Sequence, residues 1–328
     1  MLSAYTALLR EESVRIRKVI FGSVGIVLGV PLVLAIAGIA WISAVDRTNG
    51  RVVSSNEVRE YLLYVPESYD PAVPVPLVIS IHAGATWPAQ QRNLSRWNRL
   101  ADENGFIVVY PSGNPQMLGV ARIWHTFDRG AGLDRDVRFI SELIDTLRST
   151  YNIDQARIYA DGMSNGGGLA FVLSCALSDR IAAVGMVAPA QSLPPDWCAA
   201  TRPVAMIAFH GTADPIVPYG GGRLGDPLNP VKPVFPAIRD FVAGWAERNG
   251  CGAEPSDESI AADVTRLYYA DCAGSASVVL YTVSGGGHTW PGGKPLPEWR
   301  VGPNSNGIDA TREMWAFFRE HPLLASSM

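Results

Sequence analysis

No basic cluster interleaved with aromatic residues occurs in this 328-residue chain, and the net charge is only −4. Nucleic acid is therefore not an expected partner, because a phosphate backbone is held by clustered Lys and Arg. Low-complexity tracts and internal repeats are also absent, so neither a repeat array nor a long disordered segment is expected. The four cysteines include no Cys-x-x-Cys pair, which argues against a zinc site. No metal and no organic cofactor is expected. What remains is a chain of nearly balanced charge, long enough for one large α/β domain and a terminal segment.

Charge is missing in one place above all. Val19 to Val45 carries no charged residue, and Arg10, Arg15, Arg17 and Lys18 flank it on the N-terminal side. A secretory signal has an apolar core of about 7–15 residues, whereas a membrane-spanning helix needs about 20. The run is in the second range even with Pro31 inside it. The basic flank should stay in the cytoplasm and the rest of the chain should face outward. The expected layout is a short cytoplasmic segment over residues 1–18, a signal anchor over 19–45 and one catalytic domain over 46–328. A long cleaved signal is the alternative, given Ala35, Ala37 and Ala40. The chain would then be a single-pass membrane protein with an extracytoplasmic domain, or a secreted one.

All four cysteines fall in the outer region, which fits export. Three pairings are possible. The pairing that closes modest loops joins Cys175 to Cys198 and Cys251 to Cys272, each worth about 3 kcal/mol in the chain-entropy account. Four buried free thiols are the alternative.

Chemistry enters at Gly162-Met163-Ser164-Asn165-Gly166. A strand-like run, Arg157 to Ala160, precedes it, and a helix-like run from Gly167 to Leu177 follows. The five letters alone are a weak signal. Strand, sharp turn and helix together make a nucleophile elbow, which pushes a serine hydroxyl out of the sheet edge and needs small neighbours. A serine hydroxyl also needs a base, and the base needs an orienting carboxylate. Val204 to Phe209 reads as a buried strand and runs into His210-Gly211-Thr212-Ala213-Asp214-Pro215. Val278 to Val283 is another and runs into Ser284-Gly285-Gly286-Gly287-His288. Ser164, Asp214 and His288 thus stand in the order of an α/β-hydrolase, the last two on loops just past strand ends. Among the other histidines, His82 ends an earlier strand, His210 sits ahead of the acid, His125 precedes the serine, and His321 lies near the C-terminus, where it is expected to be exposed.

Gly-Met-Ser-Asn-Gly-Gly, His-Gly-Thr-Ala-Asp-Pro-Ile-Val-Pro-Tyr and Gly-Gly-Gly-His-Thr-Trp-Pro-Gly-Gly resemble the motifs of polyhydroxybutyrate-depolymerase-like and feruloyl-esterase-like hydrolases. The resemblance runs from about Val52 to Phe318. It implies an α/β-hydrolase fold, with Ser164 as nucleophile, Asp214 as acid and His288 as general base. One oxyanion donor should be the backbone N–H of Asn165. The second should come from the loop His82-Ala83-Gly84-Ala85. Such proteins usually carry His-Gly there; this chain has Ala83 in place of the glycine, and Gly84 is favoured over Ala83 as donor. Trp290 and Trp124 are candidates for presenting aromatic surface to a substrate, although ordinary packing is the favoured reading for each.

The expected activity is hydrolysis of short-chain, hydroxyalkanoate, feruloyl or acetyl esters outside the cytoplasm. Without residues left over for a separate polymer-binding module, soluble short-chain esters are favoured over solid granules. The alternatives are a catalytically silent envelope or binding protein on this fold, or a serine peptidase or thioesterase. Strands are expected near 59–65, 77–82, 106–110, 182–187, 204–209 and 278–283, and helices near 93–104, 134–150, 235–249 and 310–321. Asp134 and Asp136 suit the positive start of the second of these helices. The Pro/Gly-rich stretch from Tyr219 to Pro236 reads as a loop near the site, a candidate partial lid.

Overall fold

The computed structural model of the protein describes residues 48–116, 121–127, 130–193, 197–225, 233–252 and 254–324. The expected cytoplasmic segment and signal anchor lie outside the described residues. Among the described residues, no helix is long and apolar enough to cross a membrane.

Ten strands form the main sheet: β1 (Gly50–Ser54), β2 (Glu57–Tyr64), β3 (Val75–Ile81), β4 (Ile107–Pro111), β5 (Ile153–Met163), β6 (Ala183–Val187), β7 (Ala205–Gly211), β8 (Ser256–Ala261), β9 (Val264–Tyr269) and β10 (Val278–Val283). Their order across the sheet is β1-β2-β4-β3-β5-β6-β7-β10-β9-β8. The middle is parallel, from β4 through β3, β5, β6 and β7 to β10. Antiparallel pairs close both edges. The helices are α1 (Pro88–Ser95), α2 (Trp97–Asn104), α3 (Ala131–Thr150), α4 (Asn165–Ala176), α5 (Ile238–Arg248), α6 (Glu298–Val301) and α7 (Ala310–Glu320).

A strand covered on both faces reads as a nearly continuous apolar run. Every residue of β3 is buried, with Leu77, Ile79 and Ile81 in one core and Val78 in the other. The first core also takes Phe139, Ile140 and Leu143 from α3, Leu169 and Phe171 from α4, and Val242 and Trp245 from α5. The second takes Leu94 and Trp97 from α1 and α2, and Met314, Trp315 and Phe318 from α7. Helices on both faces of a mostly parallel sheet make an α/β-hydrolase-like fold.

Several expectations change in detail. The run 93–104 is two helices, because Arg96 adopts φ 60° between them. The edge strands β1, β8 and β9 were not foreseen. The cysteines pair as expected, Cys175 with Cys198 and Cys251 with Cys272. His321 is not an exposed terminal residue: its ring lies on Phe317, with Nε2 2.6 Å from Ser277 Oγ.

Candidate active site

Met163, Val187, Phe209 and Tyr281 are partners in one row across β5, β6, β7 and β10. These four parallel strands end together, so the segments that leave them share one edge of the sheet. Ser164 comes directly after β5, Asp214 lies a short turn beyond β7, and His288 a short loop beyond β10. The loops are tied to one another: Thr212 N donates to Val283 O at 2.9 Å, and Ala213 N to Gly286 O at 2.9 Å. The His288 backbone is pinned from behind, its N–H donating to Val301 O at 2.6 Å.

Ser164 sits between β5 and α4 with φ 55° and ψ −119°. That region is sparsely populated for a residue with a side chain and costs about 1–3 kcal/mol. Neighbouring glycines make the turn possible. A methyl group on Gly166 would strike the Ile81 carbonyl oxygen and lie 2.6 Å from that of His82, and one on Gly162 would strike the Gly166 carbonyl. The elbow is thus wedged against the end of β3, and α4 starts at Asn165 with its N-terminus at the serine.

His288 Nδ1 donates to Asp214 Oδ2 at 2.7 Å. The other carboxylate oxygen accepts from Ile216 N at 2.8 Å and Val217 N at 2.9 Å. Burial alone would raise the Asp214 carboxyl; His288 beside it and hydrogen bonds from His210 and His288 overcome that and hold it well below the usual carboxylate range. Among the described residues no hydrogen bond joins Ser164 Oγ to the His288 ring. Such contacts are often long before substrate binds and tighten afterwards.

Opposite the elbow, Gly84 packs on Asn165: a methyl on Gly84 would lie 3.4 Å from the Asn165 Cβ. Ala85 N is engaged with Arg122 O at 2.8 Å. The Ala83 carbonyl accepts from Thr86 Oγ1 and from His82 Nδ1, each at 2.7 Å. The buried His82 receives Gly113 N on Nε2 at 3.0 Å. Burial pushes its imidazole down to about 4, so it is neutral near pH 7 and holds the loop rather than moving protons.

The tryptophans are placed differently from the expectation that gave them a substrate-facing role. Trp124 and Trp290 are both fully buried. Trp290 Nε1 donates to Thr311 Oγ1 at 2.9 Å, and Trp124 Nε1 to His82 O at 3.1 Å. Each indole serves the core, because its one polar atom finds a buried partner and its rings pack. Of the stretch 219–236, residues 226–232 lie outside the described set; Tyr219 packs edge-on against His210, ring centroids 5.8 Å apart.

A second histidine–carboxylate pair was not foreseen. Asp136 accepts from Asn114 Nδ2 at 2.7 Å, His125 N at 2.9 Å and His125 Nδ1 at 3.0 Å, and pairs with Arg59 at 3.1 Å. Burial opposes its ionisation, but the hydrogen bonds from His125 and the Arg59 charge lower it overall. This knot fixes the chain that delivers Trp124, whose backbone N–H and carbonyl are gripped by the Asn165 side chain at 2.8 and 3.1 Å. Arg59→Met should strand a buried carboxylate and lower unfolding stability by about 3 kcal/mol. Urea denaturation at pH 7 checks it, and an unchanged midpoint would refute it.

Residues 59–192 match the sequence model of the family described as Esterase PHB depolymerase. The chain is related to that family. Feruloyl esterase B of Piromyces equi is 30% identical over 239 residues, 72% of this chain and 44% of the relative. The chain therefore spans less than half the length of that protein. Feruloyl esterase C of Emericella nidulans is 27% identical over 278 residues, covering 83% of this chain and 87% of the relative. Acetyl xylan esterase from Aspergillus awamori has the same fold, with a TM-score of 0.54 at 17% identity, over 73% of this chain and 93% of that structure.

Proposed function

We propose that the protein is a serine carboxylic-ester hydrolase acting through an acyl-enzyme. Ser164 is the nucleophile, His288 the general base and then general acid, and Asp214 the carboxylate that orients His288. The observation that carries this reading is the strained Ser164 elbow on the same sheet edge as the His288–Asp214 pair at 2.7 Å.

The reading assigns each step to a group. Asp214 accepts from Nδ1, which fixes the tautomer and leaves Nε2 of His288 to take the Ser164 proton. The hydroxyl oxygen attacks the ester carbonyl. The negative charge that develops is met by the backbone N–H of Asn165, aided by the positive end of α4, and by the N–H of Gly84. Ala85 is a poor second donor, since its N–H is already engaged. His288 returns the proton to the departing alcohol, and water then repeats the sequence on the acyl-serine.

The substrate class is short-chain, hydroxyalkanoate, feruloyl or acetyl esters, in keeping with relatives named for feruloyl and acetyl xylan esters. We place the reaction outside the cytoplasm, with residues 46–328 as the catalytic domain on an anchor over 19–45. The two disulfides fit an oxidising compartment.

A covalent label tests the reading. Full-length protein treated with diisopropyl fluorophosphate should lose its activity on p-nitrophenyl acetate and methyl ferulate together. Peptide mass spectrometry should find one phosphoryl adduct, on Ser164. Full activity after treatment, or an adduct on another serine that accounts for the loss, would overturn it.

A further inference from the structure

His210 closes β7 four residues before Asp214, and its side chain is only 1% exposed. Its Nε2 lies 2.9 Å from the Val217 carbonyl oxygen and 3.4 Å from Asp214 Oδ2. Both oxygens only accept, so Nε2 carries the hydrogen. In that tautomer Nδ1 presents a lone pair. Nδ1 is buried and has no partner among the described residues.

Gln191 is in the same position. Its Nε2 donates to Leu193 O at 2.9 Å, while its Oε1 is buried and unpartnered among the described residues. His210 and Gln191 line one cavity of about 10 Å³, walled by Pro189, Val217, Phe235 and Ile238. That is about the space one water occupies. Two residues that line one small cavity each carry a buried acceptor without a partner among the described residues, and a single water supplies two hydrogens. Buried acceptors left unpaired are costly, so the site is built for an occupant of this kind.

We propose that His210 is a positioning residue for Asp214, held in its Nε2–H tautomer by one buried water shared with Gln191. This rests on the triad reading given above. Asp214 Oδ1 is already fixed by two backbone N–H groups. Oδ2 is the oxygen that must meet His288, and the His210 Nε2–H, which donates to Val217 O, also faces it at 3.4 Å. Tyr219 packs against the His210 ring and is itself tied to Thr282 Oγ1 at 2.9 Å, which keeps that donor aimed.

Two substitutions of similar size separate this role from packing. A glutamine amide nitrogen reaches the place of a histidine Nε2; an asparagine amide nitrogen reaches only that of Nδ1. His210→Gln should keep kcat on p-nitrophenyl acetate within about threefold of wild type, whereas His210→Asn should lose roughly 10- to 100-fold, both with KM little changed, as expected for a slight misplacement of the catalytic geometry. Equal kcat for the two variants would overturn the proposal, as would a loss carried by KM. Should the Asn variant fail to fold, the wild-type full-length chain labelled with ¹⁵N-histidine gives the answer. The resonance that disappears in His210→Gln should show a protonated Nε2 and a hydrogen-bonded, unprotonated Nδ1. A proton on Nδ1 in place of Nε2 would overturn it. If Ser164→Ala proves fully active, the triad reading itself fails; if Ser164→Ala is inactive while Gln and Asn behave alike, only the role of His210 fails.

Discussion

Ser164→Ala is expected to lower kcat on p-nitrophenyl acetate by about 10⁴- to 10⁶-fold, with KM little changed. Ser164 is held in an elbow at the head of α4. The oxyanion donors are backbone N–H groups and survive the substitution, so a remnant of rate acceleration over water should persist. The variant should fold as wild type does. Alanine at φ 55° bears the same backbone strain as serine, so its melting temperature should stay close to that of the parent. Ser164→Gly should behave differently, because glycine adopts that backbone freely. It should be equally inactive yet more stable, by about 1–3 kcal/mol. An alanine variant with wild-type turnover would sink the assignment. A glycine variant no more stable than alanine would show that the elbow is not strained.

The second large effect concerns Asp161, three residues upstream on β5. Its side chain is fully buried on the side of the sheet that carries Tyr159 and Met163. Ser80 Oγ donates to Oδ1 at 2.8 Å, and Gln91 Nε2 donates to Ser80 at 3.1 Å; the other oxygen has no partner among the described residues. Burial pushes the carboxyl up to about 8, with the Ser80 hydrogen bond and then the Trp97 indole opposing. Linkage gives the sign. A carboxyl whose folded-state value exceeds its unfolded value of about 4 favours the folded state fully only below pH 4. That contribution is lost steadily as pH rises from about 4 to about 8 and is then constant. An asparagine side chain in its place is neutral throughout. Asp161→Asn should therefore match wild type near pH 4 and exceed it increasingly above, by about 4 kcal/mol at pH 7. Urea denaturation of both proteins at pH 4, 5.5, 7 and 8.5 reads the difference. A gap that does not widen with pH would mean that Asp161 is ionised in the folded protein.

The two carboxylates along this edge of the sheet differ for a reason in their surroundings. Asp214 has two histidines and two backbone N–H groups on it and stays charged; Asp161 has one hydroxyl and no cation. Sequence distinguishes them poorly. Asp214 was legible because it falls just past a strand-length apolar run in the expected order after a serine. The central strands were legible for the same reason, since burial on two faces leaves an uninterrupted apolar run. The edge strands were not: β8 is Ser256-Asp257-Glu258-Ser259-Ile260-Ala261, exposed along nearly its whole length, and shows no apolar face to detect. The helix break at Arg96 was hidden because a left-handed arginine leaves no mark in composition. Packing was the favoured reading for Trp124 and Trp290, but the atoms that satisfy their N–H groups, His82 O and Thr311 Oγ1, are distant in sequence and could not be named. The Arg59–Asp136 pair and the Gln191–His210 cavity escaped for the same cause: each joins residues that only the folded chain makes neighbours.

The chain order of the sheet also sets when the protein can first act. A chain made as far as Asp214 has supplied the elbow, the helix behind it and the carboxylate, yet not His288, the general base of the proposed mechanism. His288 arrives with the loop after β10, the last strand in chain order among the described residues, which pairs with β7 and sets that loop against Asp214. On the proposed mechanism turnover requires β10 to be docked beside β7, so recovery of turnover after dilution from urea should not run ahead of that insertion.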